Sequence, residues 1–376
     1  MQIDKVKWCT ELQKGRAKDK PLYEQIQQQL IKQIQTGQLT SGDRLPSISK
    51  LVKKWQVDYQ TVNLALKYME KEGLIRCETG RGKGAVIITG GNCKYSMMFL
   101  RWGHDGFSLE ITEGIRKYAE ERKVRFAIAD VSGAQHSLIN TLASLTQGVD
   151  GIIVLPPENN IEFRKACLDA LNRGTKIVFV DLKLDGLPIS SISIDHIGGA
   201  HQATKHLLNR HHNPVYCFGL TTCSSVQARY QGWALAMQES GFSNHSDFVY
   251  KTADVDTAHN DFYELSLQNH TEAALKLLNK NSRISVFSCT GFAAQGLYRA
   301  AEEMGLKIGT DVFVAGFGDD PVCRKLPVPL SSIAQNNEEV GYEAANTLFM
   351  EMAGLTKHPM IRLLPAKFHI HKSSTG

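Results

Sequence analysis

VDYQTVNLALKYMEKEGLI, running from Val57 to Ile75, reads as one helix followed by the start of a strand. Asp58 can cap the helix start, and Gly73 suits the left-handed residue that ends it. Val62, Leu66 and Met69 recur at helical spacing, which predicts one buried face. Tyr59, Gln60, Asn63 and Lys67 fall together on another face. That outward row mixes an aromatic, two amides and a cation, and its neighbours explain why.

Upstream, Pro21 stands where a helix begins, and PLYEQIQQQLIKQIQTG follows. Leu22, Tyr23, Ile26, Leu30 and Ile34 form its apolar stripe, and Gly37 is a stop. In LTSGDRLPSISKLVKKWQV, Ser47 is an N-cap candidate for a second helix that turns Ile48, Leu51, Val52 and Trp55 inward. Downstream, LIRCETGRGKGAVIIT predicts two strands joined by a glycine-rich tip at 80–84. Helix, helix, tight turn, helix, hairpin is the pattern of an α+β winged helix-turn-helix. Such a third helix buries one face on its own domain and offers the other to base edges in the major groove. Gln60 and Asn63 carry the amide fork that pairs with adenine, while Tyr59 and Lys67 suit phosphates. Arg81, on a tip whose glycines add no bulk, suits insertion into a minor groove. The expected DNA-contacting set is Ser47, Lys50, Lys53, Tyr59, Gln60, Thr61, Asn63, Lys67 and Arg81. Taken singly, a polar helix face is only a solvated one; three helices, a wing and a charge excess in one stretch favour DNA.

The charge excess is local. Residues 1–92 hold 16 Lys+Arg against 9 Asp+Glu, whereas the remainder holds 27 against 29. A basic head on a neutral body implies a polyanionic partner for the head. The eight cysteines lie far apart with no CxxC pair, which fits buried reduced thiols. No apolar leader opens the chain, and no run approaches a membrane span, so a cytoplasmic location is expected.

The head closely resembles the GntR family of bacterial regulators over about Lys20 to Ile88, through PLYEQI, GDRLPS, TVNLAL, EGLI and the GRG wing. The resemblance implies a polar lead at 1–20, a DNA-binding domain at 21–88 and a linker at 89–93. Departures from the family pattern are Ser49, Asp58-Tyr59 and Asn63, which stand where it commonly has arginine or Ser-Arg. The operator sequence is therefore open, and affinity leans on Lys50, Lys53, Lys54 and the wing.

From Lys94 to Gly376, near-continuous apolar strands (YSMMFL, DGIIVL, KIVFVDL, PVYCFGL, RISVFSC, DVFVAGF) alternate with amphipathic helices. This predicts an α/β body of doubly wound parallel sheets in two lobes, with ligands at the carboxyl ends of strands in the crevice between them. No Walker loop, GxGxxG, GxSxG or HExxH occurs. The histidines His201, His206, His211, His212, His369 and His371 lack the clustered carboxylates or thiolates of a metal site, so neither metal nor cofactor is expected.

The body resembles the periplasmic-binding-protein-like sensor of LacI-type repressors, through VDGIIVLPP, ISIDHIGGAHQATKHLL, SSVQARYQGWALAMQESGF, AAQGLYRAAEEMGLKIGTDVFVAGFGDD and LSSIAQNNEEVGYEAANTL. The resemblance implies chain crossings between lobes near Asp195, near Gln335 and near Pro359. It implies an effector site made by Trp102, Phe107, Asp181, Asp195, Ser225, Arg229, Thr290 and Gln335. Carboxylates, an arginine fork and an aromatic plate suit a polyhydroxylated ring. Where the family carries Asn-Asp, this chain has Thr290-Gly291, which favours a sugar derivative with its own anionic group beside a plain sugar. Expected partners are double-stranded operator DNA, a small sugar-like effector and a second copy in a homodimer, with no membrane. Two rival readings stay open: a DNA-binding regulator whose crevice senses nothing, and an enzyme with a DNA-binding appendage.

Overall fold

The structure is a computed structural model that describes residues 21–375 apart from 36–37, 40–41, 72–73, 78–84, 88–94, 102–105, 132–134, 146–148, 158–159, 254–261, 280–282, 319–322, 324–325 and 357–358. The polar lead, the linker, Gly37, Gly73, the glycine-rich tip with Arg81, Trp102 and Asp319 lie outside the described residues.

The head opens with α1 (Leu22–Gln35), α2 (Ile48–Trp55) and α3 (Tyr59–Lys71). Gln56, at φ 51°, ends α2 in the left-handed region and makes the tight turn. Asp58 then caps α3, its Oδ1 accepting from Thr61 N at 2.8 Å. Strands β1 (Ile75–Cys77) and β2 (Ala85–Ile87) pair antiparallel as the stem of the wing. Ile26, Leu30, Leu51, Trp55, Val62, Leu66 and Met69 close the core at 7 % exposure or less. The helical spacing had placed each of them inward.

The body has two sheets. In the first lobe β3 (Ser96–Arg101), α4 (Gly106–Arg122), β4 (Arg125–Asp130), α5 (Gln135–Ser144), β5 (Gly151–Val154), α6 (Ile161–Asn172), β6 (Lys176–Val180) and β7 (Ser190–Ile194) alternate. In the second, α7 (His196–His211), β8 (Val215–Leu220), α8 (Ser224–Glu239), β9 (Val249–Lys251), α9 (Phe262–Leu278), β10 (Ile284–Ser288), α10 (Gly291–Glu303), β11 (Val312–Phe317) and β12 (Ser331–Ala334) follow. The chain returns through α11 (Asn337–Met352) and β13 (Ile361–Leu364) to the first lobe, then ends with β14 (Lys367–His369) and α12 (Lys372–Thr375) in the second. Strand order is β13-β7-β6-β5-β3-β4 in the first sheet and β14-β12-β11-β10-β8-β9 in the second. Every pairing is parallel except β12 with β14.

The crossings at Asp195 and Gln335 fall where the resemblance put them. The third needs correction: β13 still pairs with β7, Ile361 opposite Ser191, so the chain crosses at Pro365-Ala366 and not near Pro359. At the edge of the first sheet, β4 leaves Ile128 42 % exposed. Pairing on one side only leaves it half-covered.

Each lobe has its own core. Trp233 is fully buried in the second and donates Nε1–H to Val215 O at 2.9 Å, so its polar handle is satisfied. The head core, in contrast, is continuous with that of the first lobe: Ile31 and Ile34 of α1 belong to one apolar cluster with Tyr118 of α4 and Phe349 of α11. Arg122, at the end of α4, donates Nη2–H to Ile34 O at 3.3 Å. Among the described residues no helix is long and apolar enough to cross a membrane.

Candidate functional site

On the head, α3 holds its nominated row on the solvent side because Val62, Ala65, Leu66 and Met69 are drawn into the core. Tyr59 is 56 % exposed, Gln60 and Lys67 are exposed, and Asn63 is half-buried. Lys50 and Lys53 are exposed on α2. Thr61 is engaged locally: its hydroxyl donates to Asp58 Oδ2 at 2.6 Å, and these Thr61 hydrogen bonds hold the Asp58 carboxyl below the usual range. Ser47 sits at the N-cap of α2 without a side-chain cap bond, while its carbonyl accepts from Lys50 N and Leu51 N. The structure thus gathers Tyr59, Gln60, Asn63 and Lys67 on one helix face and turns Thr61 to capping.

In the body, the crevice forms where the strands' carboxyl ends meet the crossings. Asp181 follows β6 with φ 66°, a left-handed conformation that a non-glycine residue adopts only under local constraint. Its Oδ1 lies 3.0 Å from His196 Nε2, at the start of α7 across the first crossing. Arg229 of α8 donates Nε–H to His196 Nδ1 at 3.3 Å and Nη1–H to Cys289 O at 2.8 Å. With Nδ1 accepting, the imidazole carries its proton on Nε2 and donates to Asp181. The Arg229 guanidinium also lies 4.3 Å from the Phe317 ring centroid, a cation–π arrangement at the end of β11.

Arg229 is 5 % exposed and His196 6 %. Burial draws the Arg229 guanidinium down and Asp181 opposes it. Burial pushes the Asp181 carboxyl up, but the His196 hydrogen bond and the Arg229 charge outweigh it and hold the group below its ordinary value. The result is a three-residue relay that joins a carboxylate of the first lobe to a guanidinium of the second. Arg229 and Asp181 were nominated from sequence; His196, which mediates between them, was missed. Its only sequence signal is the place directly after Asp195, at the first crossing.

Of the remaining nominated residues, Asp195, Ser225 and Thr290 stand next to the relay in the chain or on its helices, whereas among the described residues nothing ties Phe107 or Gln335 to it. Asp195 caps α7, its Oδ1 accepting from Gly198 N at 2.8 Å, and Thr290 caps α10, its Oγ1 accepting from Ala293 N at 3.1 Å. Ser225 is buried at the start of α8, with its hydroxyl 3.3 Å from Cys223 Sγ. Gln335 is half-buried at the second crossing, and Phe107 packs partly against the first-lobe core. Trp102 and Arg81 lie outside the described residues. Among the described residues no group of three or more His, Cys, Asp or Glu could hold a metal ion. The histidines instead serve structure: His206 Nε2 lies 2.9 Å from Ser374 Oγ, and His211 Nε2 donates to Ser374 O at 2.9 Å, fastening α12.

Two families match by sequence: bacterial regulatory proteins of the gntR family over residues 22–84, and the periplasmic binding protein-like domain over 204–374. The transcriptional regulator DegA of Bacillus subtilis is 24 % identical over 268 residues, 71 % of this chain and 76 % of its own. The ribose operon repressor of Haemophilus influenzae is 26 % identical over 249 residues, 65 % of this chain and 70 % of its own. Among solved structures, a CelR–cellobiose complex superposes with a TM-score of 0.64 at 19 % identity, over 87 % of this chain and 95 % of that one. A ribose-bound LacI family regulator from Enterococcus faecium gives a TM-score of 0.62 at 22 % identity, over 74 % of this chain and 98 % of that one. The chain is a transcriptional regulator that joins a gntR-type DNA-binding head to a periplasmic binding protein-like body.

Proposed function

We propose that this regulator is a cytoplasmic homodimer that binds a two-fold operator through its heads and a small polar effector, a sugar or sugar derivative, in the crevice. The observation that carries this reading is the Arg229 site. The Arg229 guanidinium lies 4.3 Å from the Phe317 ring centroid at the seam of two lobes, and its N–H groups beyond those given to His196 and Cys289 O supply donors for a hydroxylated or carboxylated ligand. The cellobiose and ribose bound in the neighbouring structures support a sugar class. Thr290-Gly291, standing where the related sensors carry Asn-Asp, removes a carboxylate from the site and so favours an effector with its own anionic group beside a plain sugar.

A thermal-shift screen of sugars and sugar acids tests the reading, since a ligand that binds only the native state raises its Tm. At least one compound should raise the Tm of the wild type. Arg229→Lys should fold, bind DNA without effector and lose that shift, because a lysine cannot reproduce the planar fork; the loss corresponds to about 2–5 kcal/mol of binding. An equal shift in Arg229→Lys would move the anchor elsewhere in the crevice. A screen with no stabilising compound would favour a regulator that no longer senses.

A further inference from the structure

Helices α4 and α11 run side by side in the same direction. Asn337 at the start of α11 donates Nδ2–H to Glu110 Oε2 near the start of α4 at 2.9 Å. Further along, Tyr342 donates its hydroxyl to Glu121 Oε2 at 2.8 Å, and the Tyr118 ring lies 5.2 Å from Tyr342 and 6.2 Å from Phe349. The pair is held closely because both helices use glycine where they cross. A Cβ at Gly114 would lie 1.8 Å from Glu338 O, and one at Gly341 would lie 2.1 Å from Ile111 O. Such backbone contact leaves no room for the helices to slide independently.

Both helices begin at the crevice. α4 starts just after β3, and α11 starts at the second crossing, beside Asn336 at φ 44°. Both end at the head. Their 17 and 16 residues span roughly 25 Å each at about 1.5 Å per residue. There Arg122 binds the last-turn carbonyl of Ile34, and Ile31, Ile34 and Leu74 of the head meet Tyr118, Phe349, Met350 and Leu355. The recognition face stays open while the head is seated, with Tyr59 56 % exposed. The seat therefore permits DNA contact and does not mask it.

We propose that the α4–α11 pair is a rigid rod that carries lobe movement from the crevice to a head seated on its far end. The seat itself does not depend on the effector reading; the use of the rod for sensing rests on it.

Amide hydrogen exchange on the full chain, without ligand, tests both parts. Arg122→Glu combined with Leu355→Asp replaces a cation at the α1 carboxyl end by an anion and puts charge into the seat. Exchange at the 31–34 amides should become at least tenfold faster, while the β5 and β6 amides stay protected. Asn337→Asp tests transmission from the other end, because it sets a carboxylate against Glu110 at the crevice. It should alter exchange at 31–34 severalfold, whereas Asn140→Asp on α5 should leave those amides unchanged. Unchanged protection in the Arg122/Leu355 variant would overturn the seat. A seat that responds there but ignores Asn337→Asp would overturn the rod. Neither measurement requires an effector, so a failed sugar screen leaves both results interpretable.

Discussion

At the scale of single residues, the crevice is governed by how its charges are satisfied. Arg229 and Asp181 do not touch; His196 stands between them, receiving from one and donating to the other. A buried guanidinium and a buried carboxylate are each costly alone, and the relay compensates both at once. The folded Asp181 carboxyl lies below its ordinary value, so its contribution to stability is fully present above the ordinary carboxylate range near ~3.9. That contribution is lost as pH falls through the folded value. Thermal unfolding from pH 6 down to pH 3 should therefore show a shallower acid decline in Asp181→Asn than in the wild type. Equal acid slopes would mean that another carboxylate carries the effect. Arg229 and Asp181 were nominated because the resemblance to LacI-type sensors carries that family's ligand-contact pattern onto them. His196 was not, because its importance arises from a crossing that brings α7 against β6. The turning of Thr61 to capping was likewise hidden in the choice of one rotamer.

At the scale of elements, hydrophobic period did most of the specifying. The inward residues of α1, α2 and α3 follow from helical spacing, and the alternation of apolar strands with helices predicts both sheets. What periodicity misses is the environment beyond one element. Ile31 falls off the α1 stripe yet is buried, because the first lobe covers it, and the apolar Ile128 is exposed, because β4 has a single neighbour. The row on α3 is the element-level feature with the clearest functional consequence. Asn63 lies half-buried between the open Gln60 and Lys67. Asn63→Ala should cost about 1–3 kcal/mol on an operator selected from a random duplex library, and little on unselected duplex. Fluorescence anisotropy with both duplexes measures the difference. Equal losses on the two would make Asn63 a positioning contact and leave base reading to Tyr59 or Gln60.

At the scale of the whole molecule, the basic head and the near-neutral body divide the work. Sequence composition showed that division, but it could not show that the head rests on α4 and α11, because that contact joins residues about 90 and 315 positions apart, through one hydrogen bond and shared apolar burial. With 16 basic against 9 acidic residues in the first 92, the electrostatic part of DNA binding belongs to the head. Each neutralised phosphate releases condensed counterion, so log affinity falls linearly with log salt in proportion to the contacts made. In a homodimer both heads can engage a duplex of about 30 base pairs, because half-sites one helical turn apart lie roughly 34 Å from centre to centre. A duplex of about 12 base pairs accommodates a single head. The salt slope on the long duplex should therefore be about twice that on the short one. Lys53→Ala, which removes one exposed cation per head, should lower the long-duplex slope by about two units and the short-duplex slope by about one. Identical wild-type slopes on the two duplexes would mean that one head binds at a time and that the regulator acts as a monomer.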